Sequence, residues 1–241
     1  MEKAKVRLYV DQPLAAGQAV ALGPEAANYL FAVMRLGKGA AVALFNGRDG
    51  EWRAEVADTG KRGGIAVCAG QTALQVRPPD LWLLFSPLKK ERTAFVVEKA
   101  VELGVARVLP VSTRRTNSER WRLDKQQAHA IEAAEQCGAT FVPEVNEIQP
   151  LDKVLAEWDA GRVLYWADET LAQHTFAPSA VITGPSAILI GPEGGFSDEE
   201  KTRLRALPFV RLMSLGPRIL RAETAAVAAI VLWQTAVGDW R

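Results

Sequence analysis

Residues 186–207 read SAILIGPEGGFSDEEKTRLRAL. The run SAILIG (186–191) is short, apolar and uncharged, the pattern of a strand buried on both faces. It breaks into Gly191-Pro-Glu-Gly-Gly195, and a helical pattern follows. Ser197 suits an N-cap, and Asp198, Glu199 and Glu200 fill the first turn, where the macrodipole favours acids. Strand, glycine loop and helix form the repeating unit of a parallel sheet joined by helical crossovers.

The same rhythm extends outward from this stretch. LWLLFSP (81–87), RVLPVST (107–113), VLYWAD (163–168) and VRLMSLG (210–216) read as strands. RTAFVVEKAVELG (92–104) reads as a helix that Gly104 stops. Residues 118–138 predict a long amphipathic helix with Ser118 as N-cap, and residues 222–237 an apolar one. The alternation predicts an α/β domain with a mostly parallel sheet covered on both faces.

Upstream the rhythm differs. RLYV, QAVAL, AAVALFNG, EWRAEVAD and GGIAVCAG are short strand-like runs with turn signals between them, which predicts a small β-barrel. PEAANYLFAVMRL (24–36) interrupts it with a helical period at Tyr29, Val33 and Leu36. Arg77-Pro78-Pro79-Asp80 punctuates the chain, since Pro-Pro fits neither a helix interior nor a central strand. Two domains are expected, over 1–76 and 77–241.

Composition narrows the function classes. Hydrophobic residues at 49% and charged residues at 24% suit a packed core and exclude a disordered chain. Cys68 and Cys137 make no disulfide framework, so a reducing, cytoplasmic compartment is expected. The opening MEKAKVRLYVDQP has no apolar signal core, and no apolar run approaches the roughly 18 residues of a membrane span. Net charge is +1, but residues 86–125 hold ten basic and five acidic residues, a local excess that suits an anionic partner or a solvated face.

The glycine loop does not match the familiar phosphate cradles. No G-x-G-x-x-G follows the first strand, and Phe196-Ser197 stands where a P-loop needs Lys-Ser or Lys-Thr. Glu193 at the loop's centre would repel a phosphate, so a cationic or neutral polar ligand fits better. His129, His174, Cys68 and Cys137 have no chelating spacing, so no metal is expected. No G-x-S-x-G hydrolase elbow is present.

Ile190-Gly-Pro-Glu-Gly-Gly-Phe-Ser197, followed by Leu215-Gly-Pro-Arg-Ile-Leu-Arg-Ala-Glu-Thr-Ala225, resembles the 16S rRNA (uracil-N3)-methyltransferases, a branch of the SPOUT class of knotted RNA methyltransferases. Arg7-Leu-Tyr-Val10, Glu98-Lys-Ala-Val-Glu-Leu-Gly-Val105, Ala133-Ala-Glu-Gln-Cys137 and Val142-Pro-Glu-Val145 extend the resemblance over nearly the whole chain. Ala139 stands where the family often has Arg, and Asn28-Tyr29 where it often has a His pair. The resemblance implies a PUA-like RNA-binding barrel, then a SPOUT domain with a C-terminal trefoil knot that carries catalysis and dimerisation. It implies S-adenosylmethionine as cofactor, 16S rRNA of the small subunit as substrate, and a homodimer.

In such folds the cofactor lies bent across loops after three strands. On this chain the first loop brings Trp166 and Glu169. The second brings Ile190, Gly191, Pro192, Glu193, Gly194, Gly195 and Phe196. The third brings Ser214, Leu215 and Gly216, and then Ile219, Leu220, Thr224 and Ala225. Attack by uracil N3 needs loss of its proton and no thiolate adduct, so Cys137 need not act. A guanidinium near O2 or O4 would stabilise the developing anion. Arg221 is the first expectation for that role and Arg218 the second, with Glu223 as a possible proton acceptor. RNA would meet Arg7, Arg35, Lys89 and Lys90, with Arg114 and Arg115 in a turn, Arg120 and Arg122 beyond it, and Trp52 and Trp121 for stacking. A SPOUT enzyme acting on tRNA or another rRNA site, and an RNA-binding module without catalysis, are the alternative readings.

Overall fold

A computed structural model describes residues 4–89, 91–117, 121–171 and 182–241. The chain forms two compact units. One holds the chain up to Arg77 together with Ala134–Val142, and the other holds Pro78–Ala133 and Pro143–Arg241.

The first unit contains β1 (Arg7–Tyr9), β2 (Ala19–Leu22), α1 (Pro24–Ala27), β3 (Ala41–Phe45), β4 (Glu51–Gly60) and β5 (Gly63–Ala73). The sheet order is β1-β3-β4-β5-β2, with β1 parallel to β3 and the other pairs antiparallel. Val6 and Val10 flank one edge strand, yet they share a core with Val20 and Leu22 of the opposite edge. A sheet whose two edges bury side chains in one core is curled toward a barrel, and the register shifts between β4 and β5 supply local bending.

The helix of this unit departs from its expected face. After α1 the chain widens into a π-helix over Asn28–Val33, where the Met34 amide bonds the Tyr29 carbonyl. Leu30 and Ala27 are buried, whereas Val33 is 61% exposed. A 3.6-residue period cannot locate a face built on a wider turn.

Ala134–Val142 joins this unit for identifiable reasons. The Arg7 guanidinium donates to the Ala139 carbonyl at 2.6 Å and to the Ala134 carbonyl, and pairs with Glu51 at 2.5 Å. The Tyr9 amide donates to Glu135, and the Val76 amide to the Thr140 hydroxyl.

The second unit runs β6 (Leu81–Phe85), α2 (Glu91–Glu102), β7 (Arg107–Ser112) and α3 (Leu123–Cys137, whose last turn from Ala134 belongs to the first unit). Next come β8 (Glu144–Val145), β9 (Gln149–Pro150), α4 (Leu151–Ala156) and β10 (Val163–Ala167). The unit ends with β11 (Ser186–Ile190), α5 (Asp198–Ala206), β12 (Val210–Met213) and α6 (Ala222–Val237). Sheet order is β12-β10-β11-β6-β7-β8, with β9 beside β7, and every pairing is parallel. All five residues of β11 are buried, as its uncharged run predicts. Because β12, β10 and β11 are sheet neighbours, the loops leaving their carboxyl ends converge, the position where open α/β sheets bind ligands.

Leu123, five residues after Ser118, opens α3, and Trp121 and Arg122 before it are not helical, so Ser118 does not cap this helix. Arg122 instead pairs with Asp124 at 2.6 Å. Gln234 of α6 is buried and donates to the Leu103 carbonyl at 2.7 Å, satisfying the end of α2.

Candidate active site

The three converging loops enclose a cleft of about 650 Å³, within the roughly 300–1,000 Å³ of small-molecule sites. β10 contributes Ala167, Asp168 and Glu169; the loop after β11 contributes Ile190 to Gly195; the segment entering α6 contributes Leu215, Gly216, Arg218, Ile219, Leu220, Arg221, Ala222 and Ala225. Arg92, from the first turn of α2, completes the lining.

Local packing shapes the glycine loop. Phe196 is buried and meets the Trp166 ring edge-on at 5.6 Å between centroids. A Cβ on Gly191 would lie 2.7 Å from the Phe196 ring, so glycine is needed for the loop to fold over its own aromatic anchor. Ser197 closes the loop with a capping box: its hydroxyl accepts from the Glu200 amide, and the Glu200 carboxylate accepts from the Ser197 amide at 2.7 Å. The Arg115 guanidinium donates to the Gly194 carbonyl at 2.9 Å, bracing the loop from the turn after β7.

The cleft's lining carries charges of both signs. Glu169 and Glu193 line it with Arg92, Arg218 and Arg221, while the Asp168 side chain is fully buried against Arg205. Burial pushes the Asp168 carboxyl up, but the Thr170 amide and the Arg205 guanidinium outweigh that effect and hold it below the usual carboxylate range. Arg205 donates to Asp168 at 2.7 Å. Glu169 pairs with Lys201 at 2.9 Å. Arg92 reaches Glu193 at 3.1 Å and Glu223 at 3.9 Å. The Glu223 Oε2 atom is buried without a hydrogen bond. Arg218 and Arg221 are exposed, and among the described residues neither side chain is in a salt bridge, so Glu223 turns to Arg92 and not to Arg221.

Most of the residues expected at the cofactor site therefore line one cleft. Trp166 and Phe196 instead lie buried beneath it, and Thr224 is exposed on the first turn of α6 outside the lining. Ser214 is buried, with its hydroxyl donating to the Leu171 carbonyl. Ala167, Asp168 and Ala222 fall within the expected loops 166–170 and 214–225, whereas Arg92 has no motif of its own in the sequence.

The expected RNA contacts are dispersed. Arg7 is committed to packing: its guanidinium lies 3.8 Å from the Phe45 ring centroid and its nitrogens bond Glu51 and two carbonyls, so it has no free donor face for phosphate. Arg114 pairs with Glu199 yet keeps 63% of its side chain exposed. Arg35 and Lys89 are exposed, Arg35 in the left-handed region at φ 55°. Lys90 and Arg120 lie outside the described residues, as does His174. The Trp52 indole donates to the Asp49 carbonyl at 2.9 Å, and Trp121 packs edge-on against Phe85, so both serve packing. Among the described residues no group of three or more His, Cys, Asp or Glu side chains could hold a metal ion, and no helix is long and apolar enough to cross a membrane.

Comparison with known proteins agrees with this geometry. Residues 76–234 match the RNA methyltransferase domain family, and residues 22–67 match the RNA methyltransferase PUA domain family. The ribosomal RNA small subunit methyltransferase E of Rickettsia conorii is 27% identical over 227 residues, covering 93% of each chain. The enzyme of the same name from Neisseria gonorrhoeae, solved with S-adenosylmethionine, is 28% identical with a TM-score of 0.86, covering 98% of this chain and 99% of that one. A Legionella pneumophila methyltransferase, also solved with that cofactor, is 32% identical with a TM-score of 0.86, covering 99% and 100%. The chain belongs to the RNA methyltransferase family, with a PUA-like N-terminal unit and a SPOUT α/β domain.

Proposed function

We propose that this member of the RNA methyltransferase family uses S-adenosylmethionine to methylate N3 of a uridine in 16S rRNA of the small ribosomal subunit. The charge of the cleft carries the reading. Glu169 and Glu193 suit a ligand that carries a sulfonium and an ammonium, whereas a polyphosphate would meet them unfavourably. A Cβ on Gly216 would meet no atom within 4 Å and one on Gly194 only Arg115, so the main chain at both lies open to a ligand. Ile190, Leu215, Ile219, Leu220 and Ala225 supply an apolar wall for an adenine. S-adenosylmethionine relatives in two solved structures support the same cofactor.

When bound, the cofactor supplies an electrophilic methyl group on a sulfonium. The chain's residues then handle the proton and charge of the base. Arg221, with Arg218 beside it, offers donors to O2 or O4 as N3 loses its proton. Glu223, with a buried oxygen that has no donor, is the acceptor for that proton. The exposed cations Arg35 and Lys89, with Arg114, Arg115 and Arg122, provide phosphate contacts, and the 1–76 domain holds RNA while 77–241 holds cofactor and dimer contacts. The apolar α6, with Val227, Val231 and Leu232 only partly buried, suits a homodimer contact. A cytoplasmic site follows from the ribosomal substrate.

Mass mapping of 16S rRNA from a strain lacking the gene, with and without complementation, tests the reading. One N3-methyluridine should vanish and return. An unchanged 16S map with a methyl group lost from tRNA would move the substrate elsewhere.

A further inference from the structure

We infer that Arg92 is a positioning residue of this site, tying Glu193 of the glycine loop to Glu223 of α6 and so setting where Glu223 meets the base. This rests on the methyl-transfer reading above and adds to it a residue from outside the three cofactor loops. Arg92 sits in the first turn of α2, a helix outside the three ligand loops that packs against α6. Its two terminal nitrogens divide between two carboxylates: one lies 3.1 Å from Glu193, the other 3.9 Å from Glu223 Oε2. The planar fork of arginine suits two acceptors at once, which a lysine ammonium would serve less well.

Glu223 is the informative partner. Its side chain is only 14% exposed, and its Oε2 atom is buried with no hydrogen-bond donor. A buried carboxylate oxygen without a donor is costly, unless the working complex supplies one. A uracil N3–H is such a donor. Arg218 and Arg221 precede Glu223 on the segment entering α6 and line the cleft together with Arg92, Glu169 and Glu193. Arg92 alone is in ion-pair reach of Glu223 among the described residues. Arg92 thus holds Glu223 in place without touching the reacting atoms, and Glu193 holds Arg92 from the other side.

The test is a double-mutant cycle of Arg92→Ala, Glu223→Gln and both together, read in single-turnover methyl transfer to 16S rRNA and in urea unfolding of the free protein. Arg92→Ala should slow transfer about 10–100-fold at saturating cofactor and RNA, as for residues that orient a reacting group. In the Glu223→Gln background the same substitution should have almost no further effect on rate. Arg92→Lys should restore part of the rate, since lysine keeps the charge and loses the planar fork. Coupling in unfolding as well as in rate supports the contact. Additive rate effects, or no rescue by Arg92→Lys, overturn the inference. A wild-type protein that transfers no methyl to RNA overturns the parent reading instead, and with it the role assigned here, which separates the two failures.

Discussion

Two single residues separate the binding and chemical steps. Gly194 lines the cleft, and a Cβ there would meet only Arg115 atoms at 3.5 and 3.6 Å, ordinary contact. Gly194→Val should therefore fold normally while weakening S-adenosylmethionine at least about tenfold, which is about 1.4 kcal/mol; unchanged affinity by calorimetry would misplace the cofactor. Gly195 is a poorer probe, because its φ of +66° would strain any side chain and its Cβ would press on Glu169 at 2.9 Å. Arg221 speaks to chemistry. It is exposed, caps nothing with its side chain and has no ion pair among the described residues, so Arg221→Ala should leave folding and cofactor affinity alone. An arginine aimed at a developing oxyanion acts on the transition state, and losing one such donor costs on the order of 10²–10³ in rate. Raising pH should return part of that loss as more uracil ionises unaided. A normal single-turnover rate would shift the role to Arg218.

At the scale of elements, the glycine loop depends on how α5 begins. The Ser197–Glu200 capping box anchors the end of the loop, and the second Glu200 oxygen accepts from the Arg114 amide at 2.9 Å. Ser197→Ala should cost about 1 kcal/mol, about 2–4 °C in Tm for a chain of this size; an unmoved calorimetric transition would show that the cap contributes nothing. This cap was legible in the sequence, because Ser followed three residues later by Glu is a local signal. So was β11, whose apolar run matches its burial. The π-turn at Asn28–Val33 was not, since its inward face has no 3.6-residue period. Nor were β8, β9 and α4, which are too short to show a period at all. Arg92 escaped for a different reason. Its partners Glu193 and Glu223 are 101 and 131 positions away, and an ion pair across such distances leaves no mark on local pattern.

At the scale of the whole molecule, RNA capture has to come from charge distribution, because the net charge is only +1. Arg114 and Arg115 sit within the basic stretch, yet the fold gives them different neighbours. Arg114 pairs at an exposed site with Glu199, an interaction that contributes little in water and can yield to a phosphate. Arg115 braces Gly194, inside the cofactor cleft. The two arginines should therefore separate in solution. Arg114→Ala should weaken RNA binding and reduce the log–log salt slope by about one, with S-adenosylmethionine affinity unchanged. Arg115→Ala should reduce the slope similarly and also weaken the cofactor, because the loop carbonyl loses its donor. By linkage, an RNA phosphate that draws Arg115 away from Gly194 would make RNA and cofactor oppose each other, and the coupling would be the same measured from either ligand. Titrating S-adenosylmethionine with and without RNA, in the parent protein and in Arg115→Ala, measures it. Equal cofactor affinity in the two proteins, with an unchanged salt slope for both variants, would reduce the pair to a solvated face.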